Sequence, residues 1–176
     1  MNVKIRQATA DDSKGLARVQ VDSYRSVYAG ILPQAYLSHF SYEEQEQDWV
    51  DLLTIGMEDV LLVAENAAGD IVGYALGSPG ARELLSYDSE LVSLHVCRSA
   101  QGQGIGCKLI TAVAEVLKQA GCTSLIVWVL EDNPARSLYE RLGGRLLGQK
   151  AWDGSEEFAV SVHEVAYGWS NIDDLM

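Results

Sequence analysis

Apolar and polar residues alternate from Val3 to Thr9 (VKIRQAT), the period of a strand with one buried face. The next stretch, ADDSKGLARVQVDSYRSVY, changes to helical spacing: Leu16, Val19 and Tyr24 fall on one face, with Asp11 or Asp12 placed as N-cap. Gly30 and Pro33 in GILP interrupt that pattern. SYEEQEQDW opens a second helix, with Ser41 as N-cap and acids in the first turn. DVLLVAENA and DIVGYALG, joined by AAGD, predict a hairpin, and SELVSLHV (Ser89 to Val96) predicts a further strand.

From Ile105 the helical period returns: Ile105, Leu109, Ala112, Val113, Val116 and Ala120 recur at three- and four-residue intervals, and Gly121 marks the end. SLIVWVL (Ser124 to Leu130) is continuously apolar and reads as a buried strand. NPARSLYERLGG supplies Asn133 as N-cap, Pro134 in the first turn, and Leu138 and Leu142 on one face. FAVSVHEVAYGW alternates again as a final strand. The order is strand, two helices, three strands, helix, strand, helix, strands. It predicts a mixed α/β (α+β) domain over residues 1–176, with helices packed against a sheet.

One segment has chemistry that its period does not explain. Between Val96 and Ile105 a strand turns into a helix through QGQGIG (Gln101 to Gly106). Glycines there let a ligand approach the main chain closely. The opening amides of the helix have no internal partners, and the helix end carries about half a positive charge. Together they form an anion site of the kind that takes phosphate. Arg98, Lys108 and Lys118 are the bases of this stretch, opposed by Glu115. The alternative is a tight turn whose glycines serve packing alone. A dinucleotide fingerprint would need glycine at 107 or 109, where Cys107 and Leu109 stand. A P-loop would need lysine followed by Ser or Thr, but Lys108 precedes Leu109.

Composition narrows the classes. A formal charge of −12 excludes general nucleic-acid binding, which needs a basic footprint. Cys97, Cys107 and Cys122 are odd in number and lack metal-like spacing, as expected of reduced thiols in a cytoplasmic protein without a metal. No signal-like apolar segment follows Met1 and no apolar run has transmembrane length, so export and a membrane partner are not expected.

QGQGIG matches the Gln/Arg-x-x-Gly-x-Gly/Ala motif of the GNAT superfamily of acetyl-CoA-dependent N-acetyltransferases. The resemblance extends beyond it. LVSLHVCRSAQGQGIGCKLITAVAEVLKQAG resembles that family's fourth strand, pyrophosphate loop and third helix, and LIVWVLEDNPARSLYERLGG resembles its fifth strand and fourth helix. Residues 59–144 carry the likeness, and both ends agree in element order alone. It implies a mostly antiparallel sheet splayed between strands four and five, with helices on both faces. It also implies direct acetyl transfer from acetyl-CoA to an amine.

The resemblance also implies roles. Gln101, Gly102, Gln103, Gly104, Ile105, Gly106 and Cys107 would wrap the pyrophosphate of coenzyme A with main-chain amides. The backbone of Leu94, His95 and Val96 would pair with the pantetheine arm as an added strand. Asn133 would face the same cleft besides capping its helix. Tyr139 matches the tyrosine that protonates the leaving sulfur; a phenol near pKa 10 keeps its proton at neutral pH, and the alternative is core packing. Glu90 is the candidate base, since some members place a glutamate at the matching position and others use water chains. Period-two counting puts Glu90 on one face with Val92, Leu94 and Val96, and sets His95 opposite as a structural residue. Tyr87 and Asp88 are nearby substitutes for Glu90, and Cys107 has no evident base partner.

The resemblance implies a small-molecule or peptide amine as the acceptor. Between Ser26 and Ala81 there is no Lys or Arg, whereas Glu43, Glu44, Glu46, Asp48, Asp51, Glu58, Asp59, Glu65 and Asp70 are acidic. Such a wall would draw a cationic amine; a solvated acidic helix face is the alternative. Tyr24, Tyr28 and Leu32 would line an apolar part of the pocket or pack the core. A non-catalytic acetyl-CoA sensor of the same fold, and a nucleotide-binding protein of another family, are the competing functions. Pairing of C-terminal strands would give a homodimer, by analogy.

Overall fold

The computed structural model describes residues 2–56, 58–80 and 86–176. Among them seven strands form one sheet in the order β1-β2-β3-β4-β5-β7-β6. The strands are β1 (Val3–Gln7), β2 (Val60–Asn66), β3 (Ile71–Pro79), β4 (Ser89–Val96), β5 (Leu125–Leu130), β6 (Arg145–Ala151) and β7 (His163–Trp169). Every neighbouring pair is antiparallel except β4 and β5, which run parallel. Helices α1 (Ser13–Val27) and α3 (Tyr42–Ile55) cover one face, where Leu16, Val19 and Trp49 pack on Leu61, Val63 and Tyr74. On the opposite face α4 (Ile105–Gln119) buries Leu109, Ile110, Val113 and Leu117 against the sheet, joined by Tyr139 of α5 (Arg136–Arg141). The expected helices on both faces of a mostly antiparallel sheet are present.

Local chemistry explains the boundaries. Ser41 accepts a hydrogen bond from the Glu44 amide at 3.2 Å and caps α3 as expected. Asp12 precedes α1, but its carboxylate turns away from the helix. It accepts from the Thr9 amide (2.8 Å) and from Arg6 Nη1 (2.7 Å), joining β1 to the helix start. The Arg6 hydrogen bond holds its carboxyl below the ordinary range, despite partial burial.

Three features depart from the hydrophobic pattern. A one-turn helix α2 (Gln34–Leu37) follows Pro33 and buries Leu37 with Leu32 and Leu130. Of the alternating run Phe158–Trp169 only His163–Trp169 is strand. Phe158 instead packs on Trp152 and Tyr36, with ring centroids 6.1 and 5.5 Å apart, and the chain closes back through Val160 N–H to Ser155 O (3.0 Å). The third departure is on β4. Leu76 pairs with Ser93 but Gly77 pairs with Leu91, so Val92 is an extra residue, 41% exposed, in a β-bulge.

That bulge corrects the assignment of faces. Leu91, Leu94 and Val96 all pack toward α4, whereas His95 stacks near Tyr74 and Tyr24 beneath α1. Glu90 alternates with Leu91 and pairs with Ile126, so it lies on the α1 face with His95, not with Leu94 and Val96.

Candidate functional site

The parallel junction is short: β4 and β5 pair only at Glu90↔Ile126 and Leu91↔Val127, after which they diverge. The Cys97 amide donates to Val72 O at 2.8 Å, so alternation along the ladder commits the His95 main chain to Tyr74 of β3. Leu94 and Val96 therefore present their amides and carbonyls to the opening, and of the expected backbone triplet His95 is the exception. The His95 side chain points to α1, where Nδ1 and Ser23 Oγ share a 2.9 Å hydrogen bond. Burial lowers its pKa to about 4, which keeps the imidazole neutral at pH 7.

The glycine turn lies at the end of this opening. Gly102 and Gly104 have φ of +72° and +76°, and a Cβ at either would meet nothing within 4 Å. Their backbone shape favours glycine, and the space beside them is open. The first helical bond runs from Lys108 N–H to Gly104 O (3.1 Å), so the Ile105, Gly106 and Cys107 amides have no carbonyl within the helix to bond. Gln101 contributes by its side chain: Nε2 donates to Val96 O at 3.0 Å and ties the turn to β4. The Gln103 side chain turns back to Ser99 O (3.3 Å). Gly106 has a packing reason as well, since a Cβ there would lie 3.1 Å from Leu138 of α5. Lys118 is at the far end of α4, paired with Asp173, and takes no part in the turn.

Opening and turn form one cleft of about 370 Å³. Its walls include Leu94, His95, Val96, Gln101, Gly102, Gly104, Ile105, Gly106, Cys107 and Asn133. Asn133 accepts from the Ala135 amide at 2.8 Å and so also turns the chain into α5. Tyr28, expected to line a pocket or pack the core, lines this cleft, and so do Ser23 and Val27 of α1 and Ser137 and Arg141 of α5, which sequence reasoning did not place. The four-residue spacing of Ser137 and Arg141 was the available signal for the last two. A slender ligand with an anionic group fits this lining: exposed strand edge along the shaft, open glycines and free amides at the end. Among the described residues no cluster of His, Cys, Asp or Glu is arranged to hold a metal.

Tyr139 is buried, with its ring centroid 6.1 Å from Tyr167 and 6.4 Å from Trp169. Burial raises its pKa well above that of a free phenol. Its charge, were it ionised, would be felt by Tyr28, whose hydroxyl is reached by Asn133. Glu90 is buried at the base of the splay, on the α1 face. Asp88 is not a substitute for it. Although burial opposes its charge, hydrogen bonds from Thr123 and Ser124 hold the carboxyl down at about 2, and it ties the start of β4 to β5. Tyr87 is committed too: its ring lies over Gly168, where an added Cβ would fall 2.6 Å from Cζ.

The acidic stretch is divided: Glu43, Glu46 and Asp70 line a separate cavity of about 670 Å³ together with Asp11, Asp12 and Asp22. Glu43 and Glu44 open α3, which packs over β2 and β3 through Trp49, and Glu65 bonds Arg6 at 2.5 Å. The carboxylates on the α1 face beside the splay are Glu90 and, from β7, Glu164, which the sequence pattern did not single out. Burial raises the Glu164 pKa, Lys150 opposes that shift, and Glu90 adds to it.

Comparison with known proteins agrees with this geometry. The profile described as "Acetyltransferase (GNAT) family" matches residues 22–144. The chain is 34% identical over 173 residues to "Uncharacterized N-acetyltransferase YuaI" of Bacillus subtilis (strain 168), covering 98% of this chain and 96% of that protein. Its fold is similar to that of a paia N-acetyltransferase from Thermoplasma acidophilum, crystallised with coenzyme A (TM-score 0.71, 20% identity, 96% of this chain and 100% of that one). It is also similar to yncA from Salmonella typhimurium, a putative acetyltransferase solved with acetyl-CoA (TM-score 0.72, 20% identity, 98% and 95%).

Proposed function

The chain belongs to the GNAT family of acetyltransferases, and from that premise we propose that it carries an acetyl group directly from acetyl-CoA to the primary amine of a small molecule or peptide, without an acyl-enzyme. The observation that carries this reading is the meeting of a splayed strand edge and a glycine-opened helix in one cleft. Bound acetyl-CoA would supply the thioester, its carbonyl carbon the electrophile and its sulfur the leaving group.

The residues divide the work. Amides from Gly102 to Cys107, at the positive end of α4, would hold the pyrophosphate. Leu94 and Val96 would bond the pantetheine amides from the β4 edge. Asn133 would steady the arm from the other wall.

Attack would come from the α1 face, where Glu90 lies buried beside the splay and would take the proton of the incoming ammonium. Tyr139, which keeps its proton far above neutral pH, would give one to the departing sulfur. Neutral His95 on that face adds no positive charge to repel an ammonium. We also propose that residues 1–176 act as one domain.

The test is coenzyme A release from acetyl-CoA across a panel of primary amines, with wild type, Glu90→Gln and Tyr139→Phe. Turnover of one or more amines, reduced in both variants, supports the assignment. Full activity of both variants would overturn the two roles.

A further inference from the structure

The face of the sheet that carries Glu90 continues across β5 to β7 and β6. Side chains on it are fixed by register: Trp128 pairs with Ala166, Leu130 with Glu164, and Glu164 with Lys150. Lys150 Nζ lies 3.3 Å from Glu164 Oε2 and 4.8 Å above the centre of the Trp128 ring. An alkylammonium thus already occupies a place formed by one carboxylate and one indole face, the two groups that recognise such a cation. That place opens to solvent: the Glu164 side chain is 18% exposed and that of Lys150 32%. Lys150 also has a second partner within 3.8 Å, Asp153, whose side chain is 83% exposed, so it can leave without losing every counter-charge.

Distance along β5 connects this place to the chemistry. Pairing with β4 ends at Val127, and Trp128 is the next residue of β5. Glu164 stands beside Leu130, four residues beyond the Ile126 that pairs with Glu90, roughly 13 Å along the strand, and the two side chains come near enough for Glu90 to add to the rise of the Glu164 pKa that burial causes. The wall above it is apolar and aromatic: Tyr24, Tyr28, Tyr36 and Trp152 surround Leu32, Leu37 and Leu130.

We propose that Glu164 and Trp128 form a subsite for a second cationic centre on the acceptor, held by Lys150 in the free protein, so that the preferred acceptor is a diamine-like molecule. This rests on the reading that the amine attacks at the β4–β5 splay. The reacting nitrogen would meet Glu90 there while the distal ammonium replaces Lys150 beside Glu164. Glu164 is then a specificity residue, and Lys150 a competitor that yields to the right ligand.

The test separates binding from turnover. Full-length protein saturated with coenzyme A is titrated with 1,4-diaminobutane and with n-butylamine, which differ in the second cation. Wild type should bind the diamine at least tenfold more tightly. Glu164→Gln should reduce that preference to near one, and Lys150→Met should increase it. Coenzyme A release with the same amines should show the Glu164→Gln effect in KM, with kcat on n-butylamine nearly unchanged. Equal affinity for the two amines in wild type, or an undiminished preference in a folded Glu164→Gln protein, would overturn the subsite. A binding preference without turnover would leave the subsite standing and count against the acetyl-transfer roles instead.

Discussion

Glu90 and His95 stand five positions apart on β4 and still face the same side of the sheet, because Val92 bulges between them. Strict alternation would have sent one of them toward α4. The bulge sets Glu90 on the α1 face beside the splay and sends Leu94 and Val96 toward α4.

The buried neutral His95 makes stability depend on pH. Its folded pKa of about 4 lies below the ordinary 6.5, so the unfolded chain binds more protons between those values. Its stabilising contribution is complete above pH 6.5 and is lost as pH falls toward 4, by roughly 3 kcal/mol in all. Urea unfolding at intervals from pH 7.5 to 4.5 should show this slope in wild type and a shallower one in His95→Gln.

Asp88 contributes in a lower window. Its folded pKa of about 2 lies below the ordinary 3.8, so its contribution is present above pH 4 and is lost as pH falls toward 2. Asp88→Ala removes the acceptor for Thr123 and Ser124 and should cost about 2–3 kcal/mol at pH 7. Because the lost clamp lies beside the two-pair junction, acetyl-CoA affinity should fall too, measured by titration at a temperature where the variant is folded.

Two glycines should cost stability for different reasons when replaced. A Cβ on Gly77 would lie 2.4 Å from Val113 Cγ1, so Gly77→Ala overpacks the α4 interface and should destabilise by about 1–3 kcal/mol. Gly104→Ala meets no neighbour and pays only for its left-handed backbone, about 1–2 kcal/mol. Chemical denaturation of both variants checks the contrast, and the Gly77 effect should be present with or without cofactor.

Tyr139→Phe should keep the fold, because the ring packs in the core near Tyr167 and Trp169. The expected loss is in kcat, about 100-fold, with little change in the acetyl-CoA KM. Steady-state kinetics on any accepted amine decide it. A rise in KM at constant kcat would place the hydroxyl in binding rather than proton transfer.

The sequence exposed most of the scaffold where pattern and packing agree. The spacing of Ile105, Leu109 and Val113 and the glycines at 102 and 104 indicated α4 and its cradle, because one face and one turn dictate both; Val116, counted on the same face, is exposed. Glu90 was found by chain position, but its face was misread: a single extra residue at Val92 leaves no mark in hydrophobicity. The same count set His95 on the face opposite Glu90, whereas the bulge brings the two to one face. Phe158 to Val162 alternates like a strand, yet Phe158 has a better partner in Trp152 than the sheet can offer. The acids of α3 and the β2–β3 hairpin suggested a wall, and the fold brings Glu43, Glu46 and Asp70 to one cavity while Glu65 turns to Arg6. Glu164, which register brings to the splay side, is one acid in an otherwise ordinary strand.

The glycine turn and the splayed edge are expected to bind acetyl-CoA as one site. A thermal-shift titration with acetyl-CoA, coenzyme A and NAD, on wild type and Gly104→Glu, tests it most directly. Acetyl-CoA at a hundred times its Kd should stabilise wild type by about 2.7 kcal/mol and raise its Tm, with little effect of NAD. The still-folded Gly104→Glu protein should show no such rise. An equal rise in the variant, or none in wild type, would contradict the site described here.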